Sequence, residues 1–294
     1  MKKVIVVGAS SGIGQEIVHL LLKEGCSVGI AARRIERLKT IQDKYGEERV
    51  KIIDLDVQKQ DATSRLEALI NDLGGMDTYF HASGIGTQNT DLVPEIEIET
   101  SKTNCEGFIR LVTFAFNWFC KNKQKGHIAV ISSIAGTKGL GVAPAYSATK
   151  AMQNTYIQSL CQLSKIKKAD ITFTDIRPGF VATELLNKNK HYPMLMKKEK
   201  VAKIIIKALK RKKRIAIIDW KFHLLVILWR LIPSCIWERI SVKISNKKTI
   251  MTKQELFNLS NNRCEAEKIL KQSFGFDNFY DEQWRAIQRL LQGE

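Results

Sequence analysis

Long apolar runs are missing from this 294-residue sequence, and a helix that spans a membrane needs about 20 such residues. The apolar run Val4–Val7 ends at Gly8, which makes it too short for the core of a signal peptide. The motif G-x-x-x-x-G-K-[S/T] is also absent, so the chain cannot be an ATP-driven helicase. We therefore expect a cytoplasmic protein without a full membrane span.

Cysteine is sparse, and no pair of the six cysteines has the Cys-x-x-Cys spacing of zinc sites and redox pairs. Several lie in apolar helical surroundings, which indicates reduced core residues of a cytosolic protein. The sequence therefore predicts no metal site. The six are Cys26, Cys105, Cys120, Cys161, Cys235 and Cys264.

The charge is strongly of one sign, with a formal net charge of +17 and a sequence pI of about 9.6. Such a charge suggests an acidic partner, which means nucleic acid, anionic lipid or a phosphorylated ligand. The segment 197–214 carries ten Lys and Arg against the single acid Glu199. A solvated helix packed on a sheet is the alternative explanation for this segment.

A glycine-rich turn, GASSGIG at 8–14, separates a predicted strand at 3–7 from an amphipathic helix. This layout is typical of a site where backbone amides at a helix N-terminus hold a diphosphate. An ordinary strand-to-helix turn is the alternative. After the second predicted strand, 27–31, Arg33 and Arg34 stand where dinucleotide folds often carry an acid. Guanidinium groups attract a 2′-phosphate, so the sequence favours NADP over NAD, unless both arginines merely begin the next helix at the surface.

Strands and helices continue to alternate along the chain. Further strands are predicted over residues 50–53, 78–81, 127–131, 171–176 and 215–218, and helices over 35–45, 61–73, 96–121 and 200–210. This alternation predicts an α/β fold of the Rossmann type, a doubly wound parallel sheet of about seven strands with helices on both faces. The helix 96–121 carries Asn104 in a mostly apolar stripe, where its amide needs hydrogen-bond partners.

A phenol and an ammonium lie four residues apart at Tyr146 and Lys150, inside another predicted helix. At this spacing the two side chains share one helical face. The lysine favours the phenolate, which lowers the tyrosine pKa and makes Tyr146 a candidate acid. An exposed tyrosine and lysine on a helix surface is the alternative.

These motifs together resemble the short-chain dehydrogenase/reductase family over residues 1 to about 220. The resemblance rests on the glycine turn, Asn104, Ser133, Tyr146 with Lys150, and the sequence PGFVAT at 178–183. It implies an NADP(H)-dependent oxidoreductase that transfers hydride between nicotinamide and a carbonyl or secondary alcohol. Homodimers and homotetramers are common in the family.

The resemblance also implies a catalytic tetrad of Asn104, Ser133, Tyr146 and Lys150. Ser133 would orient the substrate carbonyl, and Tyr146 would protonate its oxygen. Lys150 would bind the nicotinamide ribose and lower the tyrosine pKa, and Asn104 would hold a water that relays protons to Lys150. Asp56 would accept a hydrogen bond from adenine or remain a solvated loop residue. The expected cofactor-binding residues are Gly8, Ser10, Ser11, Gly12, Ile13, Gly14, Arg33, Arg34, Asp56, Val57, Ala82, Ser83, Gly84, Tyr146, Lys150, Pro178, Gly179, Val181 and Thr183.

Two positions depart from the family pattern. Val7 replaces the usual threonine before the first glycine, and His81-Ala82-Ser83-Gly84 replaces Asn-Asn-Ala-Gly after the fourth strand. The first and fourth strands are neighbours in a doubly wound sheet, so we interpret both changes as one repacked sheet end. His81 is expected to be a core histidine and not a catalytic base.

The C-terminal part is expected to supply a lid or pocket wall at 185–196 and an apolar helix within 220–237. Tryptophans and flanking basic residues suit this helix to an anionic membrane surface, and a lipid-like carbonyl substrate would agree with that location. A dimer contact or a cover over the pocket is the alternative.

The sequence predicts three parts: an NADP-binding catalytic domain at 1–219, a helical extension at 220–245, and a linker with a helical tail at 246–294. The tail resembles the start of a RecQ-type helicase around Gln283, and a truncated fusion, a misjoined reading frame or a plain amphipathic tail would explain it. Two other functions stay open, a non-catalytic dinucleotide-binding regulator and a nucleic-acid-associated protein acting through its basic C-terminal region. The complete tetrad argues against the regulator.

Overall fold

A computed structural model of the chain describes residues 2–186, 189–240 and 242, together with 262–264, 267, 281, 284, 285, 288 and 289. The chain divides into two compact units, Met1–Ser245 and Asn246–Glu294. The predicted linker and helicase-like tail, with Gln283, lie mostly outside the described residues. All strands of the main sheet belong to the first unit.

Seven parallel strands form the main sheet. They are β1 (Lys3–Val7), β2 (Ser27–Ala32), β3 (Val50–Asp54), β4 (Thr78–His81), β5 (Gly126–Ile131), β6 (Ile171–Arg177) and, after a separate short pair of β7 (Val181–Ala182) and β8 (Met196–Lys197), β9 (Ile215–Ile217). Their order across the sheet is β3-β2-β1-β4-β5-β6-β9. The order reverses between β1 and β4, and ligands bind at the carboxyl ends of the strands beside such a reversal.

Helices connect the strands and cover both faces of the sheet. They are α1 (Gly12–Lys23), α2 (Ile35–Tyr45), α3 (Ala62–Asp72), α4 (Pro94–Ser101), α5 (Phe108–Lys121), α6 (Pro144–Ile166), α7 (Lys198–Lys210), α8 (Trp220–Leu231) and α9 (Ser234–Trp237). Alternate strand residues serve opposite faces: Val6 packs in the core with α1, α2, α7 and α8, whereas Val7 packs with α3, α5 and α6. The predicted doubly wound α/β fold is confirmed.

Two details of the prediction are wrong. The single helix expected over 96–121 is α4 and α5 joined by a π-helical segment, Lys102–Gly107, which contains Asn104. Such segments often lie at functional sites, and the α-helical period of the apolar residues does not reveal them. The cysteines do not all belong to the core, because Cys26 alone is buried while Cys235 and Cys264 are exposed; all six are free thiols.

One face of helix α8 packs against the rest of the first unit. Phe222, Val226 and Trp229 are buried, and Trp229 Nε1 donates a hydrogen bond to Thr137 Oγ1 at 2.9 Å. The helix begins at a cap, where the Asp219 carboxylate accepts from the Lys221 amide at 3.1 Å. Among the helices that the structure describes, α8 included, none has the length and apolarity needed to cross a bilayer.

We expect a chain shortened to residue 245 to keep the stability of the full-length protein, and a chain shortened to residue 219 to lose part of it. A chain ending at 245 should unfold at the urea concentration of the full-length protein. A chain ending at 219 should unfold at a lower one, because each of the three buried side chains of α8 contributes about 1.5–3 kcal/mol. Urea denaturation followed by circular dichroism measures both. Equal stability of the two shortened chains would show that α8 does not support the core.

Candidate active site

The glycine turn between β1 and α1 packs its backbone closely against itself and against the segment after β4. Gly8 and Gly12 have φ of +89° and +58°, a region that favours glycine. A Cβ at Gly8 would lie 2.5 Å from Ser83 N, and one at Gly14 would lie 2.2 Å from the Gly8 oxygen. Ser11 caps α1 without a side-chain hydrogen bond to the described helix, so the first amides remain available to an anion. These features fit a diphosphate group.

Arg34 lies across this turn and pairs with an acid that the sequence analysis missed. Its Nη2 donates to Ser11 Oγ at 2.8 Å, and its Nη1 pairs with Glu184 at 2.9 Å. The other Glu184 oxygen pairs with Arg37 at 2.7 Å. Hydrogen bonds from Arg37 and Arg34 hold the pKa of the Glu184 carboxyl below its usual value. Arg33, the other predicted arginine, is exposed and precedes Arg34 in the connection between β2 and α2.

Other cofactor candidates contact the turn or support it. The Thr183 methyl carbon lies 3.3 Å from the place a Cβ would take at Gly12, so the PGFVAT segment returns to the glycine turn. Val181 is buried, and a Cβ at Gly179 would lie too close to Phe222 of α8. These two positions therefore hold the segment against the core. The turn after β3 is closed by Asp56 Oδ1, which accepts from the Gln58 amide at 3.1 Å.

Ser133, Tyr146 and Lys150 meet between the end of β5 and the start of α6. Ser133 is buried, and its Oγ accepts from the Ala135 amide at 3.1 Å. Tyr146 lies in the first turn of α6 and Lys150 one turn later, with Lys150 Nζ 5.7 Å from the centroid of the tyrosine ring. A Cβ at Gly86 would lie 2.4 Å from this ring, so the absence of a side chain there makes room for the phenol.

Burial raises the pKa of the Tyr146 phenol above its usual value, and the neighbouring Ser133 hydroxyl acts in the opposite direction. The sequence argument expected Lys150 to lower this pKa. In the protein alone the net shift is upward, because desolvation of the phenol outweighs the interactions that favour the phenolate. The phenol therefore keeps its proton at neutral pH, which is the state that a proton donor requires.

The ammonium of Lys150 is buried, with 4% of the residue exposed. Burial lowers the pKa of Lys150 from 10.5 to about 8, and the Asp175 carboxylate opposes this shift. Asp175 lies on β6 and is fully buried, where it accepts hydrogen bonds from Ser132 Oγ at 2.5 Å and Arg177 Nη2 at 2.6 Å. The sequence analysis missed Asp175, since one acid in an apolar strand does not reveal its neighbours.

Asn104 is fully buried, and both ends of its side chain hold the segment after β4. Its Oδ1 accepts from the Ile85 amide at 2.9 Å, and its Nδ2 donates to the Ile85 oxygen at 2.7 Å. The Asn104 backbone oxygen accepts from Gln153 Nε2 at 2.8 Å, and Gln153 Oε1 accepts from Lys150 Nζ at 3.0 Å. Gln153 was not predicted either, because the sequence does not show which partners a glutamine inside a helix will have.

The two departures from the family pattern meet at one sheet end, since Val7 and His81 are partners in the register of β1 and β4. His81 is fully buried, and its Nδ1 shares a hydrogen bond of 2.9 Å with the Tyr79 hydroxyl. Burial, and then the charge of Lys150, lowers the pKa of His81 to about 3. A neutral, buried imidazole agrees with the expected core role.

The fold and the motifs define a Rossmann-type oxidoreductase. The family model described as short chain dehydrogenase matches residues 2–193, and the chain belongs to this family. An uncharacterized oxidoreductase of Myxococcus xanthus is 30% identical over 240 residues, which cover 80% of this chain and 94% of that protein. An uncharacterized oxidoreductase of Staphylococcus saprophyticus is 33% identical over 194 residues, which cover 63% and 76%.

Solved structures share the fold. A short-chain dehydrogenase from Sphingobium yanoikuyae in complex with NADPH matches with a TM-score of 0.67 at 17% identity, over 86% of this chain and 98% of its own. The closed form of serine dehydrogenase complexed with NADP+ matches with a TM-score of 0.63 at 21% identity, over 74% and 94%.

Proposed function

We propose that the protein is an NADP(H)-dependent oxidoreductase that interconverts a carbonyl group and a secondary alcohol on a small-molecule substrate. The observation that carries this proposal is the position of the Tyr146 phenol, which lies beside the buried Ser133 and the buried Lys150. A bound nicotinamide cofactor supplies the hydride chemistry. A regulator that only holds a dinucleotide has no need for a phenol placed beside a serine hydroxyl and a buried ammonium, so this arrangement favours the enzyme.

The side chains divide the work of the reducing direction. Tyr146 donates its proton to the carbonyl oxygen, and the Ser133 hydroxyl orients that oxygen with a second hydrogen bond. The Lys150 ammonium stabilises the phenolate that remains, because an opposite charge nearby favours the ionised form. Lys150 would also donate to the ribose hydroxyls of the cofactor. Asn104 fixes the loop at Ile85 against this group.

A preference for NADP(H) is supported by the charge at the rim of the glycine turn. Arg33 and Arg34 would hold a 2′-phosphate through charge and paired hydrogen bonds. The related structures contain NADPH and NADP+, which supports the same choice for this chain. In the protein alone, Glu184 neutralises part of the arginine charge.

We also propose a lipid-like substrate and attachment to an anionic membrane surface through the outer face of α8. Trp220, Leu224, Leu228 and Leu231 on this face are exposed by 49–75%. The segment 197–240 around them carries thirteen Lys and Arg against three acids. An apolar stripe in basic surroundings suits the headgroup region of an anionic bilayer.

Tyr146→Phe should lower turnover by at least about a hundredfold, because it removes the donated proton, while NADPH still binds. NADPH oxidation with a panel of ketones, quinones and 3-oxoacyl compounds measures turnover, and NADPH fluorescence measures binding. Tyr156→Phe is the matched control on the same helix, since the Tyr156 hydroxyl bonds Thr113 at 2.5 Å, away from the tetrad. Retained turnover in Tyr146→Phe would refute the acid role.

Arg33→Ala combined with Arg34→Ala should weaken NADPH binding by about tenfold or more and leave NADH binding nearly unchanged, since only NADPH carries the 2′-phosphate. Glu184→Gln should act in the opposite direction and tighten NADPH binding. Fluorescence titration with NADPH and with NADH measures the affinities of the wild type and of each variant. Arg65→Ala is the control, because Arg65 lies on α3 and pairs with Asp54 at the end of β3 and with Asp61 before α3. An unchanged ratio of NADPH affinity to NADH affinity would show that these arginines do not select NADPH.

Leu224→Glu combined with Leu228→Glu should reduce binding to vesicles of phosphatidylcholine with about 30% phosphatidylglycerol by tenfold or more, because two apolar contacts are lost. Co-sedimentation measures binding. Ile166→Glu is the control, at an exposed apolar residue on α6. Absence of binding by the wild-type protein would refute the membrane attachment. A smaller oligomer for the double variant would make this face a contact between proteins.

A further inference from the structure

A side-chain amide fills the space between the buried ammonium of Lys150 and the backbone of the π-helical segment. Gln153 is fully buried, its Oε1 accepts from Lys150 Nζ at 3.0 Å, and its Nε2 donates to the Asn104 oxygen at 2.8 Å. The orientation of this amide is fixed from both ends, because an ammonium only donates and a carbonyl oxygen only accepts. Gln153 therefore links Lys150 directly to Asn104.

The family resemblance implies a water at this place, held by Asn104 and able to pass protons to Lys150. A water molecule can accept one proton and release another, whereas a carboxamide has no proton that titrates near neutral pH. The Asn104 side chain is engaged with Ile85 and with Thr149 Oγ1, to which its Nδ2 lies at 3.1 Å. The hydrogen-bond acceptor between Lys150 and Asn104 is thus the Gln153 amide, which does not titrate.

We propose that Gln153 is a positioning residue that holds the Lys150 ammonium beside Tyr146 and occupies the position between Lys150 and Asn104 that the resemblance gives to this water. This inference rests on the proposed function, in which Lys150 supports the phenol. Gln153 adds no charge of its own, so it fixes the direction of the ammonium without neutralising it.

Other groups around Lys150 contribute to its charge state and remain unchanged when residue 153 is replaced. Asp175 on β6 and Cys105 on the π-helical segment favour the charged ammonium. His81 on β4 is neutral and close enough to Lys150 for the ammonium to lower its pKa. Tyr146 lies on α6, the helix that also carries Lys150. A difference between variants at 153 therefore reports the contribution of the amide.

The direct readout is the pKa of Lys150. It is measured by NMR on the full-length protein with isotope-labelled lysine, and the Lys150 signal is assigned by comparison with Lys150→Met. Gln153→Met keeps the side-chain length, removes the acceptor, and should move the titration midpoint about one pH unit lower. Gln153→Glu places a carboxylate beside the ammonium and should move the midpoint higher. Unchanged midpoints in the two folded variants would overturn the proposal.

The pH profile of NADPH oxidation gives a second readout, because its alkaline limb should shift in the same two directions. A protein without reductase activity would refute the proposed function and leave the NMR titration as a valid test of Gln153. Should neither variant fold, the wild-type protein decides. Magnetisation transfer from Gln153 amide protons to the Lys150 ammonium supports the proposal, and transfer from a buried water in place of the amide overturns it.

Discussion

A positive charge buried at the carboxyl edge of the sheet is the constraint around which the polar residues of the site are arranged. An ammonium removed from water is costly unless hydrogen bonds and an opposite charge replace its hydration. For Lys150 the replacements come from the Ile131 carbonyl at the end of β5, the Gln153 amide on α6, and the field of Asp175 on β6. Three elements of the fold must therefore keep their relative positions for one lysine to remain charged.

The repacked sheet end obeys the same constraint. His81 replaces an asparagine in the family pattern and lies close enough to Lys150 for the two to interact electrostatically. A protonated imidazole would add a second positive charge, but burial keeps the pKa of His81 near 3 and the ring neutral. The Tyr79 hydroxyl and the edge of the Phe108 ring complete its surroundings. The substitution thus changes packing at β1 and β4 without disturbing the charge balance of the site.

Most of the fold was predictable because its signals are local. The bounds of β1, α2 and β4 agree with the prediction to the residue, since the period of apolar residues is read within a few positions. The spacing of Tyr146 and Lys150 is equally local. Three other groups were not predictable, because each gains its role from a distant partner: Glu184 meets Arg34 across 150 positions, Gln153 meets Asn104 across 49, and Asp175 meets Ser132 across 43. Only the folded chain brings these pairs together.

The carboxylate of Glu184 already pairs with Arg34 and Arg37 beside the glycine turn before any ligand arrives. A phosphate that binds Arg34 competes with this tethered anion, so part of its binding is an exchange within the protein and releases few ions from solution. Affinity for a phosphorylated ligand should then vary less with ionic strength than it does at an open arginine cluster.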